Sequence, residues 1–271
     1  MDRPAPDAAP GAQEGRPRAS LPHRLELAAL KRLLPVDRLP RMACLDIGMP
    51  DPSLSAALRA LGGAWRTAAR SPERAAEASA FLGDPSVCCL GADGRIPFPD
   101  RSLDCVVVAL GILAAVPDAV FFVRECNRVL RPSGLLVLSV QARRALSLAD
   151  ALRRRAAPAG AYAASFTEKS LYGILKSGFD VDTVDGWGRF FVELVRLRDL
   201  ALSRAGVPDA ERVRRLAGAY AAARVADLPL HGFRPHVIAL SARRRQWSSR
   251  DIPALSDGRS IGEAVLFHPP A

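Results

Sequence analysis

His231 and His236 are the side chains best suited to move a proton near neutral pH, because imidazole titrates there. Either could act as a general base, taking a proton from an oxygen nucleophile as it attacks. Either could equally be structural or merely exposed. Arg243-Arg244-Arg245 with Trp247 could hold a phosphate-bearing partner through planar guanidinium forks, or form the solvated end of a strand. Cys44, Cys88, Cys89, Cys105 and Cys126 contain no Cys-x-x-Cys pair, and the histidines are scattered, so no metal spacing is present. Their odd number and apolar settings read as reduced, buried thiols of a cytoplasmic protein. The first 20 residues lack the apolar stretch of a secretory signal.

The elements that must position these groups follow from apolar periodicity. Residues 1–20, rich in Pro, Ala, Gly and charge, read as a disordered tail. Residues 23–34 form a helix that stops before Pro35. Residues 42–47 are a short apolar strand ending at Gly48. Pro52–Leu61 is a helix with Asp51 as its N-cap, ended by Gly62-Gly63. A weak strand near 64–68 and a Ser71-capped helix over 72–80 come next. Short apolar runs at 86–90, 103–110 and 135–140 read as strands, with an amphipathic helix over 118–130 and a turn at Pro132-Ser133-Gly134. A helix over 167–179, a strand near 181–184, two helical stretches in 189–226 and a last strand at 236–242 complete the pattern. Short apolar strands alternating with helices indicate a parallel sheet covered on both faces.

Lys and Arg number 38 against 28 Asp and Glu, a net charge of +10, and all but Lys31, Lys169 and Lys176 of the basic residues are arginine. Arginine and alanine are abundant throughout, which fits a compositional bias as well as an acidic partner. No nucleic-acid module is visible. The longest apolar run, Cys105 to Val116, falls short of the about 20 residues that span a membrane. The stripe Phe190, Phe191, Leu194, Leu197, Leu200 would suit a lid over an apolar substrate, a membrane-surface helix, or packing against the sheet.

The segment 91–140 resembles the middle of the class I S-adenosylmethionine-dependent methyltransferases, of the small-molecule type 11 kind. Asp93, Ile96-Pro97-Phe98, Ser102-Leu103-Asp104, Glu125, Arg128-Val129-Leu130 and Arg131-Pro132-Ser133-Gly134 carry the likeness in a fixed order. It covers 42–140 well and 165–243 in general layout. The resemblance implies an α/β, doubly wound, mostly parallel seven-stranded sheet with helices on both faces, the Rossmann-like methyltransferase fold, over 21–243. Residues 189–230 would be a helical insertion or lid and 244–271 a C-terminal extension. It implies that Asp46 and Gly48 line the methionine end of S-adenosylmethionine, that Asp93 and Gly94 sit by the adenine, and that Leu110 and Gly111 face the sulfonium and substrate.

Two departures from the family pattern stand out. The first loop is Asp46-Ile47-Gly48-Met49-Pro50-Asp51-Pro52, with prolines where glycines would let backbone approach a ligand. The acidic residue that would hold the ribose hydroxyls after the second strand is replaced by Ala69 or Arg70, a loss of about 1.5–3 kcal/mol of contact. Two functions are thus expected from the same fold. One is methyl transfer to a small-molecule, glycan or lipid-intermediate acceptor. The other is a catalytically inactive binding or scaffold subunit with a protein partner. A groove filled by Met49, Pro50 and Pro52 would mark the second.

Overall fold

The computed structural model describes residues 21–142, 166–230 and 235–245. The expected tail 1–20, most of the extension 244–271, His231 and Trp247 lie outside these residues. In chain order the elements are α1 (Leu21–Leu33), β1 (Ala43–Ile47), α2 (Pro52–Arg59), β2 (Ala64–Ala69), α3 (Pro72–Leu82), β3 (Cys88–Cys89), β4 (Leu103–Val108), α4 (Ile112–Ala115), α5 (Ala119–Val129), β5 (Leu130–Gln141), α6 (Glu168–Leu175), β6 (Phe179–Trp187), α7 (Phe191–Arg204), α8 (Asp209–Ala226) and β7 (Val237–Arg244).

The strands form one seven-stranded sheet in the order β3-β2-β1-β4-β5-β7-β6. The first five pair in parallel; β7 runs antiparallel to both its neighbours. The order reverses between β1 and β4, the place where open α/β sheets open a crevice outside the strands' carboxyl ends.

Both faces of the central strands are buried, which is why they read as unbroken apolar runs. Leu45, Ile47, Val106, Val108, Leu136 and Leu138 pack with Phe122, Val123 and Cys126 of α5 and Leu171 and Leu175 of α6. The alternate positions Cys44, Cys105, Val107, Leu135 and Val137 pack with Leu30 of α1 and Leu58 of α2. Each such side chain contributes about 1.5–3 kcal/mol on burial, so truncating fully buried Phe122 costs about 3–5 kcal/mol.

Local chemistry sets the element ends. Asp51 accepts the Ser53 N–H at 2.8 Å, and Pro52 starts α2 where a missing N–H costs nothing. Asp118 accepts the N–H groups of Val120 and Phe121 at the start of α5. At the amino ends of the strands, Asp104 accepts the Ala43 N–H at 2.8 Å and pairs with Arg131 at 2.7 Å, stapling β1, β4 and β5 together.

Two details differ from the sequence reading, and the arginine cluster follows one of its two alternatives. The turn at Pro132-Ser133-Gly134 is a kink within β5, with Ser133 at φ 63° and a register shift between the Leu103 and Cys105 pairings. The arginine cluster is a strand end: Arg243 pairs with Asp182 and Arg245 with Asp180 on β6, while buried Arg244 donates to the Leu130 carbonyl. The outward stripe of α7 is not what packs. Phe190, Phe191 and Leu194 are exposed, whereas Val192, Val195 and Leu202 meet Leu216 and Tyr220 of α8. The helix packs on its neighbour helix rather than on the sheet, because α7 and α8 together form the connection between β6 and β7.

Candidate functional site

A cavity of about 550 Å³ opens at the carboxyl ends of β1, β2, β4 and β5. It is lined by the turn after β1 (Gly48, Met49, Pro50, Pro52), the end of β2 (Thr67 to Arg70), Arg74 and Glu77 of α3, the turn after β4 (Leu110, Gly111, Ile112) and Gln141 at the end of β5. Ligand pockets span about 300–1,000 Å³, so the volume suits a nucleoside-sized molecule. The prolines of the first loop form part of its wall and leave the groove open. Asp51 is turned away into its N-cap bond and is not part of the lining.

The two positive-φ glycines of the cavity do different work. Gly48 (φ 68°) makes the turn out of β1, its N–H bonded to the Ala68 carbonyl at 2.8 Å. A Cβ there would lie 2.1 Å from Ile112 Cδ1, so the space left by the glycine is filled by Ile112. Gly111 (φ 93°) caps α4, and a Cβ on it would meet nothing within 4 Å. The unfilled space for close ligand approach is therefore at the second turn.

Asp46 lies beneath this floor rather than on it. It is fully buried; Ser55 donates to it at 2.7 Å and Thr67 at 2.9 Å. Burial pushes its carboxyl up to about 6, opposed by the two hydroxyls and the Arg59 guanidinium. Ser55 and Thr67 border the cavity, so Asp46 fixes two residues of its floor from beneath. Arg59 extends the chain, donating to Thr67 at 3.0 Å and to Asp84 at 2.8 Å.

The structure brings Gly48, Leu110 and Gly111 together in the lining, and places Asp93 and Gly94 outside it. The exposed Asp93 carboxylate accepts the Arg95 N–H at 3.0 Å, inside a turn closed by Gly91 N–H to the Arg95 carbonyl at 2.9 Å. The next stretch is clamped from α5. Glu125 accepts the Ile96 N–H at 3.1 Å, and Arg128 bonds the Ile96 and Phe98 carbonyls and Asp100. Arg128 beside it holds the Glu125 carboxyl below its usual range against the opposing effect of burial.

His236 does not serve as a solvent-facing base. Its ring is fully buried, 3.6 Å from Glu193 of α7, with Nε2 3.5 Å from the Gln141 amide. Strand β7 begins at this point, and the His236 N–H bonds the Trp187 and Gly188 carbonyls, so the ring is walled in by β6 and α7. Its route to the cavity is through Gln141.

Glu26 of α1 is a site residue that sequence patterning missed. It is buried, accepts the Leu110 N–H at 2.6 Å and the Ser139 hydroxyl at 2.8 Å, and is raised above the usual carboxylate range by burial. It fixes the turn after β4 from the N-terminal helix. One signal was available: a lone acid on the apolar face of residues 23–34. Among the described residues, no group of His, Cys, Asp and Glu could hold a metal ion, all five cysteines are free, and no helix is long and apolar enough to cross a membrane.

Comparison with known proteins agrees with this geometry. Residues 45–138 match the model of a methyltransferase domain. No curated protein matches the chain. Among solved structures, a Galdieria sulphuraria protein proposed to be a sarcosine dimethylglycine methyltransferase superposes with a TM-score of 0.58 at 15% identity, covering 82% of this chain and 86% of that one. The 4+2 cyclase SpnF gives 0.53 at 19% identity, covering 86% of each chain. A Haloferax volcanii complex of the Trm112 methyltransferase activator with its partner gives 0.50 at 21% identity, covering 60% of this chain and 70% of that one. At these identities the likeness is one of fold.

Proposed function

We propose that this chain, whose residues 45–138 match a methyltransferase domain, is a class I S-adenosylmethionine-dependent methyltransferase, that its cavity holds S-adenosylmethionine and that the protein transfers the methyl group to a small-molecule acceptor. The observation that carries this reading is the open cavity of about 550 Å³ at the sheet's switch point, whose first-loop prolines line the space without filling it.

The residues present fit the group. Gly48 and Met49 would flank its methionine end, Gly111 its sulfonium, and the end of β2 its ribose. When bound, the cofactor supplies an activated methyl. The protein then has to hold the acceptor in line and exclude water. Leu110 and Ile112 supply apolar wall, Ser55 and Thr67 supply a floor held rigid by Asp46, and Gln141 supplies an amide backed by His236. No histidine or cysteine lines the cavity among the described residues. An acceptor that is already nucleophilic, such as an amine or a thiolate, therefore suits it better than an unactivated hydroxyl.

The same reading extends to a glycan or lipid-intermediate acceptor that carries such a nucleophile. A protein partner is also compatible, since one neighbour of this fold is bound by an activator and Phe190, Phe191 and Leu194 are exposed here. The alternative of an inactive scaffold is favoured by one feature, the lack of a carboxylate at Ala69 and Arg70. Incubation with methyl-labelled cofactor and pooled amine, thiol and hydroxyl acceptors separates the two. Label in any acceptor supports the enzyme; cofactor binding without transfer to any of them supports the scaffold.

A further inference from the structure

The wall of the cavity at the end of β2 offers a ribose two guanidiniums, and its one carboxylate, Glu77, is paired with Arg74. In doubly wound sheets an acid near this position accepts from ribose hydroxyls, and an arginine in its place accommodates a phosphate on the ribose. Here β2 ends at Ala69, which offers no polar group, and the next residue is Arg70. Arg70 and Arg74 both line the cavity. Arg70 makes no hydrogen bond or ion pair among the described residues. Arg74 pairs with Glu77 at 2.7 Å, but both side chains are more than half exposed, so the pair is weak and exchangeable. Arg70 precedes the N-cap of α3 and Arg74 lies in its first turn, where the backbone dipole adds to the positive potential. Glu77 is the one acid in the lining, and Arg74 neutralises it.

We propose that this cavity binds adenine nucleotides that carry a phosphate on the ribose 2′ or 3′ oxygen, with Arg70 and Arg74 as the phosphate clamp, in competition with S-adenosylmethionine. The proposal rests on the reading that the cavity holds an adenosine group with its ribose at the end of β2. Guanidinium forks match phosphate oxygens bidentately. Charged hydrogen bonds of this kind make the phosphorylated ribose bind about tenfold to hundredfold tighter than its unphosphorylated counterpart.

The test titrates the full chain by calorimetry at one ionic strength with adenosine 2′,5′-bisphosphate, adenosine 3′,5′-bisphosphate, adenosine 5′-monophosphate and S-adenosylhomocysteine. At least one bisphosphate should bind at least tenfold tighter than the monophosphate. Arg70→Glu should reverse that preference and tighten S-adenosylhomocysteine, by offering its hydroxyls a carboxylate. Arg70→Lys should keep a reduced preference, because an ammonium is a point charge and not a fork. Equal affinity for all three nucleotides overturns the proposal, as does displacement of the bisphosphate by an equal concentration of inorganic phosphate. If S-adenosylhomocysteine binds and no bisphosphate is preferred, the clamp is wrong and the methyl-donor reading stands. If a bisphosphate is preferred and S-adenosylhomocysteine gives no heat, the clamp stands and the methyl-donor reading fails.

Discussion

The carboxylate of Glu26 accepts the backbone N–H of Leu110 at 2.6 Å, so the N-terminal helix holds the cavity turn that follows β4. The same oxygen takes the Ser139 hydroxyl at 2.8 Å, which ties that turn to β5. Glu26→Ala would leave two buried donors without their acceptor, a cost of about 1–3 kcal/mol for each. Glu26→Gln keeps an acceptor oxygen and should retain most of the stability. Urea unfolding of the two variants, with S-adenosylhomocysteine affinity measured beside it, checks this. Equal behaviour of Ala and Gln would mean that the bond positions nothing.

Gly48 and Ile112 should be energetically coupled. Gly48→Ala places a Cβ into Ile112 and strains a residue at φ 68°, together about 1–3 kcal/mol. Ile112→Ala removes the clash and leaves the strain, so the double variant should be more stable than the sum of the single costs predicts, by about 0.5–3 kcal/mol. Strict additivity in thermal unfolding would show that Ile112 does not occupy the space beside Gly48.

Asp46 should make stability fall as pH rises. Its folded pKa of about 6 lies above the ordinary 3.8, so the folded chain binds the extra proton between those values. The contribution of this group is full below about pH 4 and is lost as pH climbs through 6, a change of about 3 kcal/mol. Asp46→Asn removes the titration, so its unfolding free energy should gain on wild type by about that amount between pH 4 and 7. A difference that does not vary with pH would contradict the buried, raised carboxyl.

The fold's outer helices hang on one carboxylate. Asp227, just beyond α8, accepts the N–H groups of Arg189, Phe190, Phe191 and Val192 at the start of α7. Asp227→Ala should accelerate hydrogen exchange in residues 189–204 by one to two orders of magnitude, consistent with the loss of about 1–3 kcal/mol of local stability. Amides of β1 and β4 should keep their protection. Unchanged exchange in α7 would assign the cap no role.

The sheet was legible because both its faces are buried, and period and length alone separate such strands from the helices between them. The caps at Asp51 and Ser71 were legible because capping is local. The clamp formed by Glu125 and Arg128 gives two residues that carry the resemblance a physical role: they fix the loop 96–100. What stayed hidden was non-local. Nothing near Glu26 in sequence points to Leu110, and nothing in the spacing of Phe190, Phe191 and Leu194 says that the opposite face of α7 would find α8 first. Asp46 was read as a ligand contact, but its alternation in β1 points it at Ser55 and Thr67, a pairing that depends on α2 and β2 being in place.

The measurement that bears most directly on the account is calorimetric titration of S-adenosylhomocysteine into the full chain and into Ala115→Phe. Ala115 lines the cavity on α4 and is only half-buried, so a larger side chain there fills the space at little cost to the fold. The account predicts micromolar binding to wild type, lost in Ala115→Phe while its unfolding temperature is unchanged. No heat from wild type near 1 mM ligand, which leaves less than about 4 kcal/mol of affinity, would contradict a cofactor site in this cavity.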